Sequence, residues 1–220
     1  MEQNKKIDKG FFIVFEGGEG SGKTTQVRLF SEWLTAQGRD LLVTKQPGGD
    51  ESICKGIRSL ILDPQYFGQV SPRAEFLLFM ADKAQHVDYV LRPALAQGTV
   101  VVSDRYAAST FAYQVAARES CTREEFAFVL QYALQGLQPD LTIWLDVDPE
   151  IGMQRNSRVP SQQLRFEKET LAFHQQVRQG YEEYLTKYTD PARVLRVDAN
   201  NSVEQNHAVI IEYTKKVLAL

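Results

Sequence analysis

The sequence predicts an α/β fold in three layers, with a central parallel sheet of about five strands flanked by helices. Three observations carry that expectation. Short apolar, β-branched runs alternate with longer amphipathic stretches, the pattern of a chain that passes from strand to helix to parallel strand. Most of the runs are apolar nearly throughout, as strands covered on both faces are. A glycine-rich turn joins the first run to the first amphipathic stretch, at the carboxyl edge where open sheets of this kind hold ligands.

Taken in order, the predicted strands are Phe11 to Phe15, Leu41 to Thr44, Thr99 to Ser103, Leu141 to Leu145 and Val194 to Val197. The last contains Arg196, which suits an edge position. The first helix runs from Lys23 to Gln37 and stops at Gly38, a favourable residue just past a helix end. Glu51 to Leu62 sets Ile53, Ile57, Leu60 and Ile61 on one face and ends before Pro64. Ser71 as N-cap and Pro72 at the first helical position open a long helix towards Gln97, closed by Gly98. Thr122 and Glu125 form a capping box for a helix to Leu137. Glu150 to Asn156 is a short helix, Arg165 to Tyr188 a long one, and Ser202 to Leu220 closes the chain. Two segments fit no regular element. Gln46 to Asp50 is a turn at the carboxyl end of the second strand, and the polar stretch around Arg158 and Pro160 is placed to be a mobile cover, a lid of about residues 156–164.

Composition narrows the function classes. The 220 residues suit a single domain with a sizeable core. A hydrophobic share of 43 % and a charged share of 24 % are ordinary for a soluble globular protein. Lys and Arg number 25 against 28 Asp and Glu, so the net charge of −3 argues against nucleic acid as the main partner. Cys54 and Cys121 stand in no metal-ligand or redox spacing and read as idle thiols compatible with a reducing compartment. Residues 1–10 lack the apolar core of a signal peptide, and no apolar run approaches the ~20 residues of a membrane span. A cytoplasmic protein with no membrane partner is expected.

Phe12-Ile13-Val14-Phe15 leads into Gly17-Gly18-Glu19-Gly20-Ser21-Gly22-Lys23-Thr24, followed by Thr25, with the spacing G-x-x-x-x-G-K-[ST]. Glycines let successive backbone N–H groups converge on an anion, and the helix N-terminus adds its positive dipole end. Lys23 can neutralise β- and γ-phosphates, and the Thr24 hydroxyl can ligate Mg²⁺. A bound nucleoside triphosphate follows. The second chemical constellation is Val100-Val101-Val102-Ser103-Asp104-Arg105-Tyr106. Asp104 can hold Mg²⁺, directly or through water, and Arg105 can clamp an acceptor phosphate with its planar fork. Read alone, the same pair also fits a surface ion pair at a strand end.

Over nearly its whole length the chain resembles the bacterial thymidylate kinases. The resemblance rests on E-G-G-E-G-S-G-K-T-T at 16–25, Q-P-G-G at 46–49 and A-E-F-L-L-F-M-A-D-K-A-Q-H-V at 74–87. It continues with D-R-Y-A-A-S-T-F-A-Y-Q at 104–114, P-D-L-T-I-W-L-D-V at 139–147 and R-F-E-K at 165–168. It implies a P-loop kinase fold and transfer of a phosphoryl group from MgATP to dTMP, in a homodimer built through the helix from Pro72 to Gln97. ATP would lie on residues Gly17 to Thr25. In the acceptor site it implies that Glu19 reaches the sugar hydroxyl, that thymine stacks on Phe79, and that Lys83 donates to its O4. It further implies that Tyr113 crowds C2′, that Lys45, Pro47, Arg105, Ser109, Thr110 and Gln114 line the pocket, and that Glu167 lies near sugar and metal. Arg155 would cover the adenine or the phosphates. With Gly20 in the phosphate loop, a catalytic arginine has to come from the lid, so Arg158 or Arg155 is implied beside Lys23 and Arg105. The family commonly reads T-R-E-P-G-G where this chain has Thr44-Lys45-Gln46-Pro47-Gly48-Gly49, has Arg at position 83, and has an acidic residue where Leu164 stands. A lysine keeps the charge and loses the bidentate fork, so a raised KM or looser base selection is expected. A P-loop kinase for another nucleoside monophosphate is the neighbouring alternative. A nucleotide-dependent switch protein is the distant one, and no N-K-x-D motif supports it.

Overall fold

The computed structural model describes residues 10–49, 51–66, 68–157 and 169–218. Five parallel strands form one sheet: β1 (Phe11–Glu16), β2 (Leu41–Lys45), β3 (Val100–Asp104), β4 (Leu141–Asp146) and β5 (Val194–Asp198), in the order β2-β3-β1-β4-β5. From β1 the chain moves to one side for β2 and β3, then crosses to the other for β4 and β5. The order therefore reverses around β1, and the loops after β1 and β3 open onto one crevice. Every strand continues one residue past its predicted end and closes on a charged side chain: Glu16, Lys45, Asp104, Asp146 and Asp198. The apolar runs mark where strands are covered. The backbone ladder extends further, pairing Phe15 with Asp104 and Lys45 with Asp104, because the ladder uses main-chain groups and does not depend on the last side chain being apolar.

Alternation along β1 divides the core between the two faces. Phe12 and Val14 point into a cluster with Phe76, Met80, Val101, Phe111 and Tyr181, whereas Ile13 and Phe15 point into another with Phe30, Leu34, Val102, Ile143 and Ile210. Both β1 faces are fully buried, the condition that makes its sequence uniformly apolar. β5 lies at an edge as its Arg196 suggests, and that side chain ion-pairs with Asp146 and Glu182 while lying over the Trp144 ring.

The helices follow their caps. α1 (Lys23–Ala36) begins after Gly22. α2 (Ser52–Leu62) is capped by Glu51, whose carboxylate accepts from the Cys54 N–H. α3 (Pro72–His86) starts at the Ser71 cap and passes through a π-helical turn, Val87–Leu91, into α4 (Arg92–Ala96). The predicted long helix is thus interrupted. Pro93 cannot donate to the preceding turn, and the wider turn before it takes up the mismatch. A short helix α5 (Ala107–Thr110) runs into a second π-helical stretch, Phe111–Ala117, which the sequence reading missed. α6 (Arg123–Leu134) has the predicted capping box but ends earlier, at Gln135 and Gly136 with positive φ. α7 (Pro149–Asn156) is capped by Asp148. α8 (Leu171–Lys187) starts at a Thr170 cap rather than at Arg165, and α9 (Val203–Leu218) completes the chain.

α8 packs tightly on the 107–117 helix through Gly180, where a Cβ would lie 2.6 Å from the Ala116 Cβ and 2.7 Å from the Ala112 Cα. Gly180→Val should therefore destabilise the protein by about 1–3 kcal/mol through overpacking, outweighing the gain of at most about 1 kcal/mol from removing a helical glycine. Thermal unfolding should show a Tm lower by roughly 2–10 °C.

Candidate active site

The loop between β1 and α1 holds its lysine against its own backbone. Lys23 Nζ donates to the Gly17 carbonyl at 2.9 Å, the Gly18 carbonyl at 2.8 Å and Ser21 Oγ at 3.3 Å. Burial, with the Arg105 charge adding to it, pushes the Lys23 pKa down to about 8. Gly20 has φ of 67°, and a methyl group there would overlap the Gly152 carbonyl of α7. Gly152 in turn has no room for a Cβ beside the Glu19 carbonyl. Loop and helix meet backbone to backbone, so no side chain fits at position 20. α7 itself carries Arg155, whose Nη1 donates to the Ala199 carbonyl at 2.8 Å and the Gly20 carbonyl at 3.5 Å.

At the end of β3 the chain turns sharply, with Arg105 at φ 74°. Buried Glu16 holds this turn. Its Oε1 accepts from the backbone N–H of Tyr106 at 2.8 Å and of Ser109 at 3.2 Å, and its Oε2 accepts a very short bond from the Ser109 hydroxyl. Burial raises the Glu16 pKa above the usual carboxylate range, with the Ser109 bonds and the Arg105 charge offsetting part of the rise. The Arg105 guanidinium then lies across the phosphate loop. Nη1 donates to the Gly17 carbonyl (3.1 Å), Ser109 Oγ (3.2 Å) and the Tyr181 hydroxyl (2.9 Å), and Nη2 donates to Glu19 Oε1 at 2.6 Å. The Tyr113 hydroxyl donates to the same Glu19 oxygen at 3.0 Å, and the Tyr113 ring lies under the guanidinium. Burial opposes ionisation of Glu19, but the Arg105 and Lys23 charges and the Tyr113 bond prevail and lower its pKa. Asp104, the neighbour of Arg105, turns a buried Oδ1 inward with no hydrogen-bond partner among the described residues.

These groups face a cleft of about 1070 Å³. Its walls bring together most of the predicted residues: Glu19 through Thr25, Pro47, Phe79, Lys83, Asp104, Arg105, Ser109, Thr110, Tyr113, Gln114 and Arg155. Lys83 is nearly fully buried, donates to Gln46 Oε1 at 2.9 Å and the Tyr106 carbonyl at 3.1 Å, and is driven by burial to a pKa of about 8. Gln114 donates to buried Glu75 at 2.8 Å and accepts from Ser120 at 3.0 Å, so much of its amide is engaged away from the cleft. Gly17 lies beneath the loop, Gly18 faces a small recess beside Trp144, and Lys45 is exposed at the end of the edge strand β2; none of the three is on the cleft wall. Arg158, Glu167, most of the 156–164 segment and the R-F-E-K motif lie outside the described residues.

Several cleft residues escaped sequence reasoning. Arg58 of α2 reaches the wall and donates to the Pro47 carbonyl at 2.5 Å. Gln26, Asn156, the 199–203 turn and Asn206 close the end near Arg155, where Gln26 Nε2 donates to the Val203 carbonyl at 2.8 Å. Glu16 had a readable signal, an acidic residue between an apolar strand and the glycine loop. Tyr181 had none, because an aromatic on an amphipathic helix reads as core.

Removing the Glu16 carboxylate leaves the Tyr106 and Ser109 N–H groups buried without an acceptor. Glu16→Ala should cost about 1–3 kcal/mol for each orphaned donor, measured by denaturant unfolding, with Ser109→Ala costing less because both backbone bonds survive.

A protein-family model described as Thymidylate kinase matches residues 15–210. The chain is 43 % identical over 212 residues to the thymidylate kinase of Acaryochloris marina, covering 88 % of this chain and 90 % of that protein. It is 43 % identical over 204 residues to the thymidylate kinase of Nostoc punctiforme, covering 92 % and 94 % of the two chains. It is 40 % identical over 215 residues to the thymidylate kinase of Halalkalibacterium halodurans, covering 97 % of this chain and all of that one. With the phosphate loop, the Asp104-Arg105 turn and the Phe79–Lys83 wall around one cleft, and with similarity over most of its length, the chain belongs to the thymidylate kinase family.

Proposed function

We propose that this protein transfers the γ-phosphoryl group of ATP to dTMP, giving dTDP and ADP. The observation that carries the reading is the opening of the phosphate loop and the Phe79–Lys83 wall onto the same cleft, with Arg105 between them. The triphosphate lies on the backbone N–H groups that open α1, with Lys23 leaving the loop carbonyls to neutralise β- and γ-oxygens. Its adenine lies towards Arg155, Asn206 and the 199–203 turn. The base of dTMP stacks on Phe79 and accepts from Lys83, Tyr113 crowds C2′, and Glu19 meets the sugar. Lys45, Pro47, Ser109, Thr110 and Gln114 complete the acceptor site, with Glu167 near the sugar.

An oxygen of the dTMP phosphate attacks the γ-phosphorus in line, and the bond to the β,γ-bridging oxygen breaks as ADP leaves. The attacking oxygen is already anionic, so no general base is required. Arg105, held in advance by Gly17, Ser109, Tyr181 and Glu19, fixes the acceptor phosphate, and this pre-organisation is where much of the rate arises. The Thr24 hydroxyl and Asp104, whose buried Oδ1 has no hydrogen-bond partner among the described residues, fit Mg²⁺, which binds few protein oxygens and keeps several waters. The ion would supply charge neutralisation between β- and γ-phosphates. Arg158 or Arg155 covers the transferring group. The unit is a single kinase domain whose lid spans about residues 156–164. The reading extends to a homodimer through α3 and its neighbours, where Leu77 of α3 and Phe128 and Tyr132 of α6 are exposed apolar side chains. No helix among the described residues is long and apolar enough to cross a membrane, and the proposed place of work is the cytoplasm.

An ADP-release assay with MgATP against dTMP, dUMP, dCMP, dGMP and thymidine tests the reading. Release should depend on dTMP first, and absence of transfer at millimolar dTMP would overturn it. Arg105→Ala should lower kcat/KM for dTMP by at least about 10²-fold, the usual cost of losing a positioning clamp. The Lys23 pKa of about 8 also fixes a pH dependence. A bound triphosphate raises that pKa, so binding takes up a proton above about pH 8 and ATP affinity should fall as pH rises further. Calorimetry in buffers of different ionisation enthalpy reads this uptake, and Lys23→Met should abolish it.

A further inference from the structure

Along the Phe79–Lys83 wall, with Gln46 itself on the cleft lining, runs a buried chain of hydrogen bonds with a single permitted direction. Lys83 Nζ meets Gln46 Oε1 at 2.9 Å, Gln46 Nε2 meets His86 Nδ1 at 2.9 Å, and His86 Nε2 meets Thr44 Oγ1 at 2.8 Å. All four side chains are under one-tenth exposed. An ammonium can only donate, so the Gln46 oxygen must face Lys83 and its amide nitrogen must face His86. Nδ1 of His86 is then the acceptor, and its proton sits on Nε2, donated to Thr44. A reversed Gln46 would set an NH₂ group against a buried ammonium and an oxygen against the Nδ1 lone pair. Two further contacts lock the arrangement. A Cβ on Gly49 would lie 2.8 Å from Thr44 Oγ1 and 3.0 Å from His86 Nε2, so the turn after β2 presses on the far end. Burial, with the Lys83 charge, pushes the His86 pKa down to about 4, which keeps the ring neutral.

The ammonium has three donors. One is fixed by Gln46 and a second by the Tyr106 carbonyl at 3.1 Å, which leaves the third for the cleft that Lys83 lines. A lysine on a flexible stem would otherwise sample many directions. We propose that Gln46 is a specificity-determining positioning residue. It holds Lys83 so that a donor and nothing else faces the acceptor base, admitting a ring carbonyl oxygen and rejecting an exocyclic amino group. This rests on the reading that Lys83 contacts the base.

Gln46→Leu, Gln46→Glu and Lys83→Met separate the two ideas when kcat and KM are measured with dTMP and dCMP, alongside KM for ATP and Tm. Gln46→Leu removes the acceptor at similar volume. KM for dTMP should rise roughly tenfold, the scale of one charge-assisted hydrogen bond, and the preference over dCMP should fall. The kcat at saturating dTMP and the KM for ATP should change little, a split that a general loss of structure would not produce. Gln46→Glu keeps an acceptor for Lys83, with the His86 proton moving to Nδ1 and Nε2 accepting from the Thr44 hydroxyl, and should retain the preference. The proposal is overturned if Gln46→Leu keeps the wild-type preference while Lys83→Met loses it, or if the Leu and Glu variants lose it alike. Retention of the preference by Lys83→Met would overturn the base-contact reading and the proposal with it. Should Gln46→Leu fail to fold, His86→Leu removes the lock on the amide and should shift the preference in the same direction; no shift there overturns the proposal.

Discussion

A guanidinium held between a sheet edge and a helix needs acceptors for its donors, and Arg105 takes the Gly17 carbonyl, Ser109, Tyr181 and Glu19. The acceptors come from three parts of the chain: the phosphate loop (Gly17 and Glu19), the helix just after β3 (Ser109) and α8 (Tyr181). One charged group thus ties the end of β3 to two segments distant in sequence. The arrangement works only because Glu16 sits beneath it and accepts from the turn that points Arg105 into the cleft. Breaking the Glu19 contact would leave a largely buried charge without its partner, and breaking the Glu16 contacts would leave buried N–H donors unsatisfied. The positive φ at Arg105 is tolerated because these bonds over-determine the turn.

The second constraint is steric. Gly20 and Gly152 let the phosphate loop and α7 touch through their backbones, which excludes any side chain from the loop at that point. Position 20 therefore cannot add a second cation beside Lys23, and the same contact brings Arg155 to the cleft on α7.

The places where sequence reading failed have a common cause. The stretch from Ala107 to Val115 is buried on every side, so it shows no amphipathic stripe and was not read as a helix. Each strand runs one residue past its apolar run, because the main-chain ladder continues to the charged residue at the carboxyl end whatever its side chain. Arg58, Tyr181 and the 199–206 wall come from separate elements and turns, and no local spacing joins them to the phosphate loop. Caps, by contrast, were legible at Ser71 and Thr122, because a capping residue acts within its own four-residue neighbourhood.

By itself the sequence determined the α/β class, the parallel sheet and the phosphate loop, while Phe79, Lys83, Tyr113 and the rest of the acceptor wall followed from the resemblance to the thymidylate kinases. The first three depend on local physics: covered strands are apolar throughout, and an anion-binding turn needs glycines at set spacing before a helix. The tertiary structure alone decided how those residues share their hydrogen bonds. Lys83 reads as a lone cation in sequence, and only the fold sets it against Gln46, His86 and Thr44 in a chain whose direction is fixed. Glu19 and Arg105 read as separate substrate contacts, and only the fold pairs them at 2.6 Å. Hydrogen-bond partners far apart along the chain leave no periodicity to read, so their choice belongs to the folded state.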